Sequence, residues 1–172
     1  MRSLRPLVST GITVSALGLG TVKLGRNRQV KYPNAFDLPT DKAVAGLLDQ
    51  AWELGINLLD TAPAYGDSEA RLGRLLGGRD WVLCTKVGEE FEQGRSRFDF
   101  SAEHTRLSVE RSLQRLARPT LDLVCIHSDG DDLAILEGSD CLATLRRLQE
   151  QGLVSSVGFS AKTLAGARAA AR

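Results

Sequence analysis

A chain of 172 residues is long enough for one domain with a real core, and 42% hydrophobic with 25% charged residues is an ordinary globular balance. Lys and Arg number 22 against 21 Asp and Glu, so a net charge of +1 points to neither a nucleic-acid nor a membrane surface. No apolar run approaches the ~20 residues of a membrane span, Met1 to Pro6 lacks a signal-peptide core, and three cysteines without metal-ligand spacing read as reduced thiols; the expectation is a cytoplasmic protein.

Leu7-Val8 and Thr13-Val14 flank Ser9-Thr10-Gly11, which predicts a small hairpin over residues 7–14. Ala16 to Thr21 is a short strand ending on Gly20 and Thr21. Residues 23–39 are polar and broken by Gly25, Pro33 and Pro39, a long loop of the kind that carries function. Thr40 caps the first helix, Asp41 suits its first turn, and Val44, Leu47, Leu48, Ala51 and Leu54 recur at helical spacing until Gly55 ends it. Gly55 to Leu59 is a buried strand that delivers Asp60, and Tyr65 follows in the loop beyond. A second helix runs from Ser68 to Gly77-Gly78, and Trp81 to Lys86 is the third strand. Residues 87–100 read as another long loop. Ser101 caps a third helix that Pro119 stops, and Leu121 to Ile126 is a fourth strand ending on His127. After a loop from Ser128 through Asp132, Asp140 caps a fourth helix closed by Gly152. Leu153 to Phe159 is the fifth strand, ending on Ser160, and a fifth helix begins near Ala161.

Strands alternating with helices imply right-handed βαβ crossovers and a parallel sheet. In such a sheet the strand ends Gly20-Thr21, Asp60, Lys86, His127 and Ser160 converge on one rim. A buried strand terminus is a costly place for Asp, Lys and His unless they pair or work. Tyrosine titrates near ~10, and a neighbouring ammonium lowers that value. A carboxylate beside the Lys holds it in place, and a His can donate to an oxygen on which charge develops. This set suits protonating the oxygen of a former carbonyl. It holds no hydride source, so a cofactor must bring one.

Asp60-Thr61-Ala62-x-x-Tyr65-Gly66-x-Ser68-Glu69, with Gly55 before it, resembles the signature of the aldo-keto reductases. The resemblance extends to Gly20-Thr21, Thr85-Lys86, His127 and Val157-Gly158-Phe159-Ser160, over essentially the whole chain. It implies a (β/α)₈ TIM barrel with an N-terminal hairpin across its bottom, here a single partial domain of about five βα units. It implies reduction of aldehydes or ketones by NADP(H) or NAD(H), or the reverse oxidation, without metal. Tyr65 would be the proton donor, Lys86 would lower its pKa, Asp60 would pair with Lys86, and His127 would orient the carbonyl. Gly20, Thr21, Asp60 and Ser160 would touch the nicotinamide side of the cofactor. The family commonly has Asn after that Ser; Ala161 here implies one hydrogen bond fewer to the carboxamide.

Other residues read as structural. Trp81 and Trp52 are expected to pack, and His104 to be solvated in the first turn of its helix. Asp129, Asp131 and Asp132 read as a solvated loop, since they lack full metal-ligand spacing. Gly18-x-Gly20 lacks the complete dinucleotide fingerprint. A complete barrel takes roughly 250 residues. Strands six to eight, which by resemblance carry the phosphate site, are therefore expected to lie outside these 172 residues. Three expectations follow: a truncated reductase, a chain that completes its barrel with a partner or a copy of itself through open sheet edges, or a non-catalytic binding module. The partner of the working site is a small carbonyl or alcohol, not nucleic acid and not a membrane.

Overall fold

The computed structural model describes residues 4–7 and 10–172. An antiparallel hairpin pairs β1 (Leu4–Pro6) with β2 (Thr13–Ser15). β1 lies before the expected 7–14 span, β2 overlaps its Thr13-Val14, and the Leu7 N–H donates to the Ile12 carbonyl at 2.8 Å. Val8 and Ser9 of that expectation lie outside the described residues.

Five strands form one parallel sheet in the order β3 (Gly18–Gly20), β4 (Leu58–Asp60), β5 (Val82–Val87), β8 (Leu121–His127) and β9 (Val154–Ser160). Between them come α1 (Val22–Gly25), α2 (Asp41–Glu53), α3 (Ser68–Leu75), α4 (Ala102–Leu116), α5 (Asp132–Gly138) and α6 (Cys141–Glu150), with α7 (Leu164–Ala170) last. This is the curved sheet of an incomplete TIM barrel, open at β3 and β9.

Two of the helices open on side-chain caps that the sequence announces. Thr40 Oγ1 accepts from Ala43 N–H at 3.3 Å to start α2, whose Val44, Leu48 and Ala51 form the buried stripe. Gly55 ends it at φ +85°, a backbone state that glycine takes without steric cost. Ser101 Oγ caps α4 by accepting from His104 N–H at 3.2 Å. Strand β5 is buried along its whole length, as a central parallel strand covered on both faces should be. Leu59, Leu83, Val124 and Ile126 from the strands and Leu48, Leu72, Val109 and Leu145 from the helices share one apolar cluster.

Three further segments depart from the expected loops, the first being α1, which takes up the start of the expected 23–39 loop. Residues 87–100 hold a hairpin, β6 (Glu89–Glu92) with β7 (Arg95–Phe98). Gln93 at φ +50° and Gly94 at φ +79° form its two-residue turn, and Glu90 faces Arg97 as Glu92 faces Arg95. The loop after His127 contains α5, whose first residue, Asp132, is 2% exposed rather than solvated. No helix among the described residues is long and apolar enough to cross a membrane.

The terminal hairpin sits at the far end of the sheet from Asp60. Asn57, just before β4, accepts from Ser15 N–H at 2.7 Å and donates to the Thr13 carbonyl at 3.0 Å. The hairpin is thereby tied to the N-terminal rim, which leaves the C-terminal rim open.

Candidate active site

All five strands end on that open rim. Register places Gly20 beside Asp60 and His127 beside Ser160. Lys86 comes from the middle of the sheet, and its ammonium lies 2.8 Å from each Asp60 oxygen and 2.9 Å from the Thr61 carbonyl. Its side chain is 6% exposed, whereas that of Asp60 is 42% exposed. Burial pulls the Lys86 pKa down, but Asp60 and the neighbouring Tyr65 together outweigh it, so the net shift is upward and Lys86 is a fixed cation.

Tyr65 ends a 3₁₀ turn, Pro63–Tyr65, opened by a proline at its first position. The Lys86 ammonium lies 5.0 Å from the centre of the Tyr65 ring. The Tyr65 and His127 rings meet edge to face with centroids 6.2 Å apart. The expected quartet of Asp60, Tyr65, Lys86 and His127 is therefore one group in space. Burial raises the Tyr65 pKa and outweighs the lowering effect of Lys86, which acts in the expected direction, so the net shift is upward. The phenol stays protonated at neutral pH, which suits an acid. Burial also lowers the His127 pKa, with Glu89 opposing it, so the imidazole is neutral near pH 7.

Glu89 has no counterpart in the sequence reading. It is 9% exposed, and its Oε2 lies 3.0 Å from His127 Nδ1, off the line of N–H donation. The signal that could have found it is the pair of opposite charges on either side of Gln93-Gly94, which marks the hairpin that carries it.

The four residues expected at the cofactor differ in availability. A Cβ at Gly20 would meet nothing within 4 Å, so the rim above it has room for a planar ring. Asp60 presents its carboxylate, and Ser160 is half-buried with no hydrogen bond to its hydroxyl among the described residues. Thr21 is fully buried, and its hydroxyl donates to the Asp60 carbonyl at 2.8 Å while accepting from Ser68 at 2.8 Å. Thr21 thus holds the floor of this corner. The open rim and the free donor at Ser160 fit the nicotinamide end of a dinucleotide.

Residues expected to be structural behave so, except that Asp132, as described above, and His104 are not solvated. Trp81 is 3% exposed and packs on Trp52 at a centroid distance of 4.9 Å. His104 is 15% exposed rather than solvated, because β6 folds over α4 and brings Glu90 to 3.5 Å from its Nε2. Cys84, Cys125 and Cys141 are free thiols, with the Cys84 and Cys125 sulfurs 3.8 Å apart.

The sequence matches the model of the aldo/keto reductase family over residues 16–172. The chain belongs to the aldo/keto reductase family. It is 36% identical to L-galactose dehydrogenase of Arabidopsis thaliana, over 91% of this chain and 48% of that protein. It is 35% identical to D-arabinose 1-dehydrogenase of Saccharomyces cerevisiae, over 72% of this chain and 38% of the other. A Pseudomonas aeruginosa structure assigned to the aldo-keto reductases superposes with a TM-score of 0.90 at 54% identity, over 98% of this chain and 64% of that one. The chain thus spans 48% and 38% of the length of these two curated relatives.

Proposed function

We propose that the rim is the catalytic face of an NAD(P)H-dependent oxidoreductase that interconverts a carbonyl and an alcohol. The observation that carries this reading is Lys86, gripped by both Asp60 oxygens at 2.8 Å and facing the Tyr65 ring at 5.0 Å. Such a group can hand over one proton at a fixed place. NADP(H) or NAD(H) would supply or accept the hydride, held at Gly20, Asp60 and Ser160 over the corner that Thr21 supports. Tyr65 gives its proton to the substrate oxygen in reduction and takes it back in oxidation. Lys86 stabilises the phenolate that remains, and Asp60 keeps Lys86 in position. Burial of Tyr65 keeps the proton on the phenol until negative charge appears on the substrate oxygen beside it.

The cleft over Tyr65 and His127 has a volume of about 580 Å³ and is also lined by Arg26, Ser96, Asp129 and Lys162. The same cleft also presents Val22, Val30, Tyr32 and Phe98, so charged groups that can bind hydroxyls stand beside apolar surface. An aldose oxidised at its anomeric carbon is the class that best joins this lining to the names of the two curated relatives. The test is an absorbance assay of NAD(P)⁺ reduction with a panel of aldoses, and of NAD(P)H consumption with aldehydes. Turnover of aldoses supports the reading; cofactor binding without turnover of either panel contradicts it.

A second reading is favoured by the open sheet. Strands β3 and β9 each have a sheet neighbour on one side. The 172-residue chain would then join a partner, or a copy of itself, along those edges before the site works.

A further inference from the structure

We propose that Glu89 is a positioning residue for His127: its carboxylate holds the imidazole as the Nδ1–H tautomer and leaves the Nε2 lone pair open to an alcohol hydroxyl in the cleft. This rests on the proposed carbonyl–alcohol chemistry for its use, but not for its measurement.

The argument begins with where Glu89 comes from. It follows Gly88, which at φ +105° turns the chain out of β5, and a Cβ at Gly88 would run into the Phe100 ring. The β6–β7 hairpin then fixes Glu89 opposite Phe98. On one oxygen, Oε1, Glu89 accepts from Ser96 Oγ at 2.6 Å, with Arg26 Nη1 at 3.6 Å. Arg26 is in turn held over the Phe91 ring at 3.5 Å. The other oxygen, Oε2, lies 3.0 Å from His127 Nδ1, a buried nitrogen with no hydrogen bond among the described residues, and a ring rotation that aligns the N–H would make the pair a charge-assisted hydrogen bond. The chain has therefore fixed one end of a carboxylate and aimed the other at a single ring nitrogen.

A carboxylate only accepts, so the nitrogen it faces must carry the proton. In the neutral ring that leaves Nε2 bare, and Nε2 has no hydrogen bond among the described residues. A bare Nε2 cannot donate to a carbonyl, but it accepts from an alcohol. His127 is then matched to the alcohol when neutral and to the carbonyl when protonated. The charged and titratable groups around it are Glu89 from β6, Lys86 from β5, Asp60 from β4, Lys162 beyond β9, and Tyr65 across the cleft. Glu89 is the largest of the charge effects on it and favours protonation, opposing burial.

The chain has two histidines, so its imidazole spectrum holds two side chains and a His104→Gln variant assigns them. Long-range ¹H–¹⁵N correlation spectra of the 172-residue chain read the tautomer directly. We expect His127 as the Nδ1–H form at neutral pH. In Glu89→Gln, of the same shape, its titration should move to lower pH and the Nε2–H form should gain population. Glu89→Asp should keep the Nδ1–H form, and Glu90→Gln, whose carboxylate faces His104 and Arg111 instead, should leave His127 unmoved. Amide spectra confirm that each variant is folded. An Nε2–H tautomer in the wild type, or an unchanged titration in Glu89→Gln, overturns the proposal. Because no turnover is involved, a chain without activity would sink the proposed reaction and leave this readout standing.

Discussion

Gly66 lies against Gly25 with no room for a side chain between them: a Cβ at Gly66 would penetrate the Gly25 carbonyl, and one at Gly25 would meet the backbone of Tyr65 and Ser68. This backbone-to-backbone contact seats α1 directly on the loop that carries Tyr65. Gly66 is also at φ +59°, which a side chain would strain. Gly66→Ala should lower stability by about 1–3 kcal/mol and displace the Tyr65 ring. Denaturant melts read the first effect, and loss of the Tyr65–His127 ring contact in aromatic nuclear Overhauser spectra reads the second.

Asp60→Asn should leave the Lys86 ammonium without its counter-charge, with the Asn amide oxygen and the Thr61 carbonyl as its acceptors. Breaking a buried pair costs several kcal/mol, but Asp60 is 42% exposed, so we expect about 1–3 kcal/mol. The pH dependence has a definite sign. The folded-state pKa of Lys86 lies above its ordinary 10.5, so the stabilisation is complete below that value. It is lost as pH rises through the higher folded value. The stability gap between wild type and Asp60→Asn should therefore be constant near neutrality and narrow above about pH 10.5, as urea melts at several pH values would show.

Asp132 accepts from the backbone N–H of Lys162 and Thr163, the latter at 2.7 Å, and from the Thr163 hydroxyl at 2.6 Å. It ties the start of α5 to the loop that presents Ser160 and Lys162. Burial works against its charged form, but the hydrogen bonds from Ser128, Thr163 and Lys162 together lower its pKa to about 2. A depressed carboxylate stabilises above its unfolded value of 3.8 and loses that contribution as pH falls toward 2. Asp132→Asn should be less stable than wild type at pH 7, and the difference should close between pH 4 and 2 in thermal melts.

The edges of β3 and β9 leave rows of backbone donors and acceptors without ladder partners. We predict that the 172-residue chain associates through them, and that light scattering finds species above 18.6 kDa. A strictly monomeric species with one sharp cooperative melt would contradict this.

The strand ends could be read in the sequence because each strand is a short run, and Thr40 and Ser101 cap the helices that follow two of them. Those two signals place Asp60, Lys86, His127 and Ser160 on one rim without coordinates. The β6–β7 hairpin was harder, since its residues are mostly charged and carry no apolar alternation. Its evidence is the register of Glu90 with Arg97 and Glu92 with Arg95, which makes sense only once the turn at Gln93-Gly94 is known. Glu89 was hidden for that reason. The sign of the Tyr65 shift was hidden for another: it is a contest between burial and the Lys86 charge, and burial is a property of the packed chain. Thr21 shows the same limit, since only the fold reveals that Asp60 and Ser68 already occupy its hydroxyl.

The central claim is that Tyr65 moves the proton. It is tested most directly by turnover with and without its hydroxyl. The wild-type rim and a Tyr65→Phe variant should be compared in a closed barrel, with the remaining strands taken from the Pseudomonas aeruginosa neighbour of 54% identity. NAD(P)H-linked turnover of the same substrate is the readout. Removing the hydroxyl leaves the ring and its packing in place, so loss of the general acid should lower kcat by at least ~10² with little change in cofactor binding. Turnover by Tyr65→Phe equal to that of the wild type would contradict the account.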